Sequence, residues 1–259
     1  MIRKLRFYLA TAIVYFKVSY NYKVHFIGMI LQNVLTFVIL FLYFKWTGEI
    51  KDMSTADLVT YYLLMLAFFS HIIPTVDVSF FDKLRSGGLD GIITLPVSLN
   101  GYFVSLHIEL LVFKFLVSII IFLLIAPLIP LKWPSLNNFL MFIIASSISL
   151  VLYFVFRIFF TQFAYYIERA DALSFWSYYL SLFLSGGLLP LRLFPETLRK
   201  LLYFTPFPYL IDYPIGIWIG KYHFDKTYLI ISLIYVLVMG SLTIELSKRG
   251  MRKYAAYGG

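Results

Sequence analysis

Histidine, glutamate, lysine and arginine are the residues in this chain whose chemistry could be catalytic, so their spacing comes first. His107, Ile108 and Glu109 form a fragment of the His-Glu-x-x-His pattern. They lack the second histidine that would set two imidazoles on one helical face for zinc. Gly216 to Lys221, GIWIGK, superficially resembles a phosphate loop but lacks its spacing and its hydroxyl residue. No Gly-x-Ser-x-Gly elbow is present. The four histidines, His25, His71, His107 and His223, are scattered, and there is no cysteine. Thiolate nucleophiles, thiolate metal sites and disulfides are therefore excluded. The sequence offers no catalytic residue, no metal site and no cofactor bound by this chain.

Three charges sit inside apolar stretches: Glu109, Lys114 and Arg157. A charge at the centre of a bilayer costs about 2.5–3.5 kcal/mol on insertion scales, so such groups pair or face water. Glu109 and Arg157 fall at similar depths. They fit either a bridge between neighbouring helices or the polar lining of a substrate path. Lys114 has no evident partner in the sequence.

Composition names the solvent. The chain of 259 residues is 61% hydrophobic and 14% charged, with a mean hydropathy of +0.85. Soluble domains carry about 25% charged residues. The apolar residues gather in runs, and about 20 of them are enough to cross a bilayer. The net charge of +9 fits basic residues held at an anionic membrane surface. No basic stripe interleaved with base-stacking aromatics points to nucleic acid. Aromatic residues make up 20% of the chain, and tyrosines near run ends suit an interfacial belt.

The elements follow from those runs. Six spans are expected, at Val24–Phe44, Leu58–Val78, Tyr102–Pro127, Leu136–Phe160, Leu173–Leu189 and Tyr228–Leu246. Ser54 or Thr55 should cap the second span, with Asp57 near its start, and Pro74 should kink its end. Residues 1–22 have a basic beginning and an apolar stripe at helical spacing. Lys17 and Lys23 follow with no small-residue cleavage site, so the segment reads as an interfacial amphipathic helix rather than a cleaved signal. Residues 79–100 form a charged, glycine-rich loop, with Leu84, Leu89, Ile92, Ile93 and Leu95 able to make a short amphipathic element. Residues 190–226 are apolar but broken by Pro190, Pro195, Pro206, Pro208 and Pro214. They read as two short helices, Pro195–Phe204 and Tyr209–Ile219, partly embedded in one membrane face. Pro195 followed by Glu196 suits a helix start. Residues 247–259 form a basic tail. Lysine and arginine are more frequent in the segments that share a side with the N-terminus, which places both termini in the cytoplasm.

Three segments together resemble a known family. RSGGLDGIITLPVS (85–98), GGLLPLRLFPETLRKLLYFTPFPYLIDYPIGIWIGK (186–221) and RGMRKYAAYGG (249–259) are similar to the permease subunits of ABC-2-type ABC transporters. The nearest likeness is to compact bacterial six-span permeases without a fused ATPase. The likeness covers the whole chain in length, span number and motif order.

That resemblance implies an all-α, single-domain membrane permease of 1–259 with a cytoplasmic coupling helix between spans two and three and two outer re-entrant helices before span six. It implies a dimer, of this chain or with a related permease, working on two copies of an ABC ATPase that holds ATP and magnesium. The bilayer would be the bacterial cytoplasmic membrane and the direction export. The coupling element would comprise Asp82, Lys83, Leu84, Arg85, Gly87, Gly88, Leu89, Asp90, Ile92 and Leu95. Leu84, Ile92 and Leu95 would enter a cleft on the ATPase, with Lys83, Arg85 and Asp90 at its rim. The outer gate would comprise Gly186, Gly187, Pro190, Pro195, Glu196, Pro206, Pro208 and Tyr209, either capping the path or packing without gating. Two other readings stand beside this one. One is an intramembrane enzyme acting on lipid or polyprenyl-linked substrates; the other is a membrane subunit with no transport path.

Overall fold

The computed structural model describes residues 23–69, 76–95, 97–167 and 170–253. The interfacial helix expected over 1–22, the kink at Pro74 and the last tail residues, 254–259, lie outside the described residues. Within them the chain is helical: α1 (Lys23–Thr47), α2 (Thr55–Leu64), α3 (Val76–Arg85), α4 (Asp90–Ile93), α5 (Leu99–Ile125), α6 (Leu136–Thr161), α7 (Ala170–Leu184), α8 (Glu196–Leu202), α9 (Asp212–Trp218) and α10 (Lys226–Lys253). Met65–Phe69 continues α2 as a π-helical turn, and Gln162–Tyr165 continues α6 as a 3₁₀ turn.

Short polar side chains start the helices. Ser54 and Asp57 form a reciprocal capping box on α2, which settles the choice between Ser54 and Thr55. Ser98 and Ser135 accept from Gly101 and Asn138 at the starts of α5 and α6, both at 3.2 Å. Asp225 accepts from the Tyr228 amide at 2.8 Å at the start of α10. Each side chain satisfies an amide that a helix leaves open, which matters most where water is scarce.

The stretch Leu136–Tyr165 and helix α10 are each long and apolar enough to cross a membrane. Large apolar side chains face outward along α1 (Leu31, Leu35, Ile39, Leu42), α7 (Phe175, Trp176, Leu180) and α10 (Ile230, Leu233, Leu237). In water such surfaces would aggregate; in hydrocarbon they are already in their solvent.

Helix α6 is the hub, packed against α10, α9, α3 and α7. Its connections sort to two ends. At one end the 48–54 turn, the 126–135 loop and the 185–225 segment meet through ion pairs and hydrogen bonds. At the other, Phe80 and Phe81 of α3, Leu89 and Ile92, Phe103 of α5 and Ala164 form a second core. The long helices therefore run alternately between the two ends.

Three boundaries differ from the sequence reading. Val76–Val78 belong to α3, not to the end of a span, and much of the 79–100 loop is helical. The fifth helix stops at Leu184, because Gly186 takes a left-handed turn (φ 89°). The last helix runs on to Lys253, into the expected tail, and continues through Gly250. A Cβ at Gly250 would lie 2.3 Å from the Tyr165 ring, so glycine is what lets the helix seat there.

Phe80 is 1% exposed and meets Phe103 at 5.1 Å and Tyr165 at 5.5 Å between ring centroids. Phe80→Ala should destabilise the chain by about 3–5 kcal/mol, read as a lower unfolding midpoint of purified protein in detergent.

Candidate functional site

The 185–225 segment must hold a compact shape without a long helix, and one carboxylate organises it. Asp212, 2% exposed, starts α9. The Tyr61 hydroxyl from α2 lies 2.9 Å from Asp212 Oδ1 and 2.9 Å from the Gly186 carbonyl, sharing one proton between them. The Leu191 amide donates to Oδ1 at 3.0 Å and the Tyr222 hydroxyl to Oδ2 at 2.8 Å. The Asp212 amide closes the ring by donating to the Ser185 carbonyl at 2.9 Å. A buried carboxylate is tolerable only with donors of this number and quality.

Gly186 makes this approach feasible. A Cβ there would sit 2.5 Å from the Tyr61 hydroxyl and 2.9 Å from Asp212 Cβ, and its φ of 89° disfavours any other residue. Gly187 is similarly crowded by Leu182. Pro206, Pro208 and Tyr209 are buried beside the site, and Tyr209 donates to the Tyr203 carbonyl at 3.0 Å. Pro190 is buried directly before the short turn Leu191–Leu193. Pro195 and Glu196 start α8 on the surface, where Glu196 pairs with Lys200 at 2.7 Å. Of the expected gate residues, these last two stand apart from the Asp212 ring.

A charged clamp ties the segment to two other loops. Arg192 pairs with Asp52 Oδ2 at 2.5 Å and stacks 4.9 Å over the Tyr222 ring. Lys221 donates to the Asp52 carbonyl and lies 3.2 Å from Asp57 Oδ2. Lys132, from the loop before α6, pairs with Asp57 Oδ1 at 2.9 Å, and its amide donates to Thr60 Oγ1 at 2.8 Å. Lys51, held at φ 54°, donates to the Leu193 carbonyl at 2.6 Å. Burial pushes the Asp57 carboxyl up, but Lys132, the Ser54 amide and Lys221 more than offset this and hold it below the ordinary carboxylate range. Burial likewise acts on Asp52, and Arg192 outweighs it. Both groups thus favour the folded state above the ordinary carboxylate value of 3.8, and lose that contribution only as pH falls through their depressed values.

Behind the clamp the tyrosines stack. Tyr222, Tyr213 and Tyr228 lie nearly parallel, with centroids 5.4 Å and 4.2 Å apart. Tyr228 donates to the Ala145 carbonyl of α6 at 2.9 Å, and Ser149 donates to the Tyr209 carbonyl at 2.6 Å. Trp218 bridges to the Lys132 carbonyl at 3.0 Å. Its ring closes a groove of about 520 Å³ between the π turn, α5 and α6, lined by Phe68, Phe122, Phe142 and Ser146.

At the opposite end, the expected coupling residues divide into two faces. Leu84, Leu89 and Ile92 are buried in the chain's own core, with Leu95 packed against it. The expectation that Leu84, Ile92 and Leu95 insert into a partner does not match this placement. Asp82, Lys83, Asp90, Thr94 and Ile93 face outward instead. Gly87 takes φ 69° in the turn between α3 and α4, and Gly88 lies over Lys83. The side chains of Arg85, Glu109 and Lys114 lie outside the described residues. Arg157 is buried, donates to Ser177 Oγ at 3.3 Å and lies 5.7 Å over the Tyr178 ring.

Asp52, Tyr61, Asp212 and Tyr222 were not singled out from sequence, and Asp57 was named only as an acidic residue near a helix start. The signal was available: a lone aspartate, Asp212, in an apolar proline-broken stretch must be paired or face water.

Residues 30–258 match the sequence family described as "ABC-2 family transporter protein". No curated protein matches the chain.

Tyr61→Phe removes a donor to a buried carboxylate and should cost about 1.5–3 kcal/mol in detergent unfolding. Gly186→Ala, which drives a methyl into the same hydroxyl, should cost more than Tyr61→Phe. Combining the two should cost less than their sum, because both disrupt one ring of contacts.

Proposed function

The chain belongs to the ABC-2 transporter family, and from that premise we propose that it is the membrane permease of an ATP-driven exporter. The family match over residues 30–258 carries this reading. ATP and magnesium would sit on a separate ATPase, a reading supported by a sequence that carries no phosphate-binding loop of the Walker type. A dimer of permeases, this chain with itself or with a related one, would sit on two ATPase copies. The alternating course of the helices supports six crossings. The greater share of lysine and arginine on the N-terminal side supports a cytoplasmic position for both termini and for the α3 end. The bilayer is then the bacterial cytoplasmic membrane, and the Asp212 end faces outward.

In this arrangement the α3–α4 element is the coupling helix. The buried Leu84, Leu89 and Ile92 fasten it to the permease, so that force on it reaches α5 and α6. The partner would be met by the outward set, with Ile93 (41% exposed) as a large apolar contact and Lys83, Asp82 and Asp90 around it. A loose coupling element would dissipate motion; one packed into the permease core transmits it. The clamp at the other end would hold the exit closed until the helices move. ATP closing the ATPase pair would then switch the spans between inward-facing and outward-facing states.

Tagged protein recovered from native membranes under mild detergent should bring down a nucleotide-binding subunit. Ile93→Asp with Lys83→Glu should abolish this while leaving the amount of folded permease unchanged. Leu84→Asp should instead reduce the folded permease itself. Recovery of no ATPase with the unaltered chain would overturn the transporter reading. Persistence of the ATPase on the folded Ile93→Asp, Lys83→Glu variant would leave the permease but displace the docking face.

A further inference from the structure

Tyr165 joins the coupling element to the last helix. Its ring meets Phe80 of α3 edge-on at 5.5 Å. On its other side, α10 presses its backbone onto the ring at Gly250, where a Cβ would fall within 2.3 Å. The Tyr165 hydroxyl donates to Met251 Sδ at 3.2 Å. Next to it, Tyr166 donates to the Leu246 carbonyl at 3.3 Å, and Lys253 lies 5.1 Å over the Tyr166 ring.

The far end of the same helix is held just as closely. Tyr228, 1% exposed, stacks on Tyr213 at 4.2 Å, and Tyr213 stacks on Tyr222, a ligand of Asp212. Between its ends α10 is unbroken, spans about 42 Å, and contains no proline. Only 11% of its most apolar window is buried. The buried residues beyond Tyr228 are small: Ser232, Thr243 and Gly250. Half-buried Ile231, Tyr235 and Val236 also pack α10 against the core, and an unbroken helix held at both ends moves as a unit rather than bending.

We propose that Tyr165 is the positioning residue that makes α10 a lever, passing displacement of the coupling element α3 to the tyrosine stack and Asp212 ring at the outer end. This rests on the permease reading for its purpose, but the mechanical link stands on geometry and can be tested without the ATPase. The inner end drives, α10 carries, and Tyr228 delivers the motion to Tyr213 and Tyr222. Opening the outer clamp then needs no separate signal through the other helices.

The test is hydrogen exchange of the purified full chain in lipid nanodiscs, comparing Tyr165→Leu with Phe103→Leu. Both disturb the aromatic core at the α3 end, and Phe103 is the control because its ring meets Phe80 and Tyr102 edge-on, whereas the Tyr165 ring is the one seated on Gly250 and bonded to Met251. Tyr165→Leu should speed exchange in residues 209–228 by about tenfold, while Phe103→Leu leaves that segment unchanged. Gly250→Ala, which displaces the ring from the α10 side, should reproduce the effect and serves if Tyr165→Leu does not fold. Equal effects of the Tyr165 and Phe103 variants on 209–228, or no effect of either Tyr165→Leu or Gly250→Ala there, would overturn the lever. Failure of the permease reading shows separately, as absence of a copurifying ATPase with the unaltered chain.

Discussion

A carboxylate buried where water is scarce cannot stay unpaired, and the Asp212 end is built around that demand. Asp212 collects two phenol hydroxyls and a backbone amide, and those donors come from α2, from the turn after α7 and from the segment before α10. Satisfying one side chain therefore fixes three parts of the chain relative to one another. In hydrocarbon there is little hydrophobic gain in packing an irregular apolar segment against helices, since lipid tails would solvate it as well. Directional polar contacts must supply the specificity that burial supplies in water. Gly186 and the Arg192–Asp52 and Lys132–Asp57 pairs follow from the same need: the backbone must come close, and the loops must be tied.

The two ends solve the problem of holding helices together with different chemistry. The Asp212 end uses charges and tyrosine hydroxyls, whose geometry is strict. The α3 end uses rings and aliphatic side chains: Phe80, Phe103, Leu84, Ile92 and Tyr165. Aromatic edge-to-face contacts tolerate small rotations at little cost. Under the proposed function, the α3 end would be pushed by a partner and suits the second chemistry, and the Asp212 end would open or shut and suits the first.

Much of the architecture was legible because the bilayer imposes simple rules. Runs of apolar residues gave the helices, and the pair Ser54 and Thr55 marked the start of α2. The two short helices between Pro195 and Ile219 were placed to within a few residues, because prolines bound them. What escaped was pairing at long range. Tyr61 and Asp212 are 151 residues apart, and no local spacing links them. What covers the apolar stripe of residues 79–100 also escaped. Leu84 and Ile92 read as a free apolar stripe, whereas the chain folds that stripe onto its own Phe80 and Phe103. An amphipathic pattern states that one face is covered; it does not state by what.

The position of α10 shows how contacts at its ends add to contacts along its length. Its outward side chains, Ile230, Leu233, Leu237 and Val238, meet lipid, and moving them along the bilayer exchanges one hydrocarbon neighbour for another. Facing inward, Ile231, Tyr235 and Val236 pack into the core along its first half, and small residues such as Thr243 and Gly250 face inward beyond them. Tyr228 at one end and the Tyr165–Gly250 seat at the other add directional contacts to that packing. Two seats on one rigid rod cannot be adjusted independently. A shift of either changes the strain at the other, and that reciprocity is the physical content of coupling between distant sites.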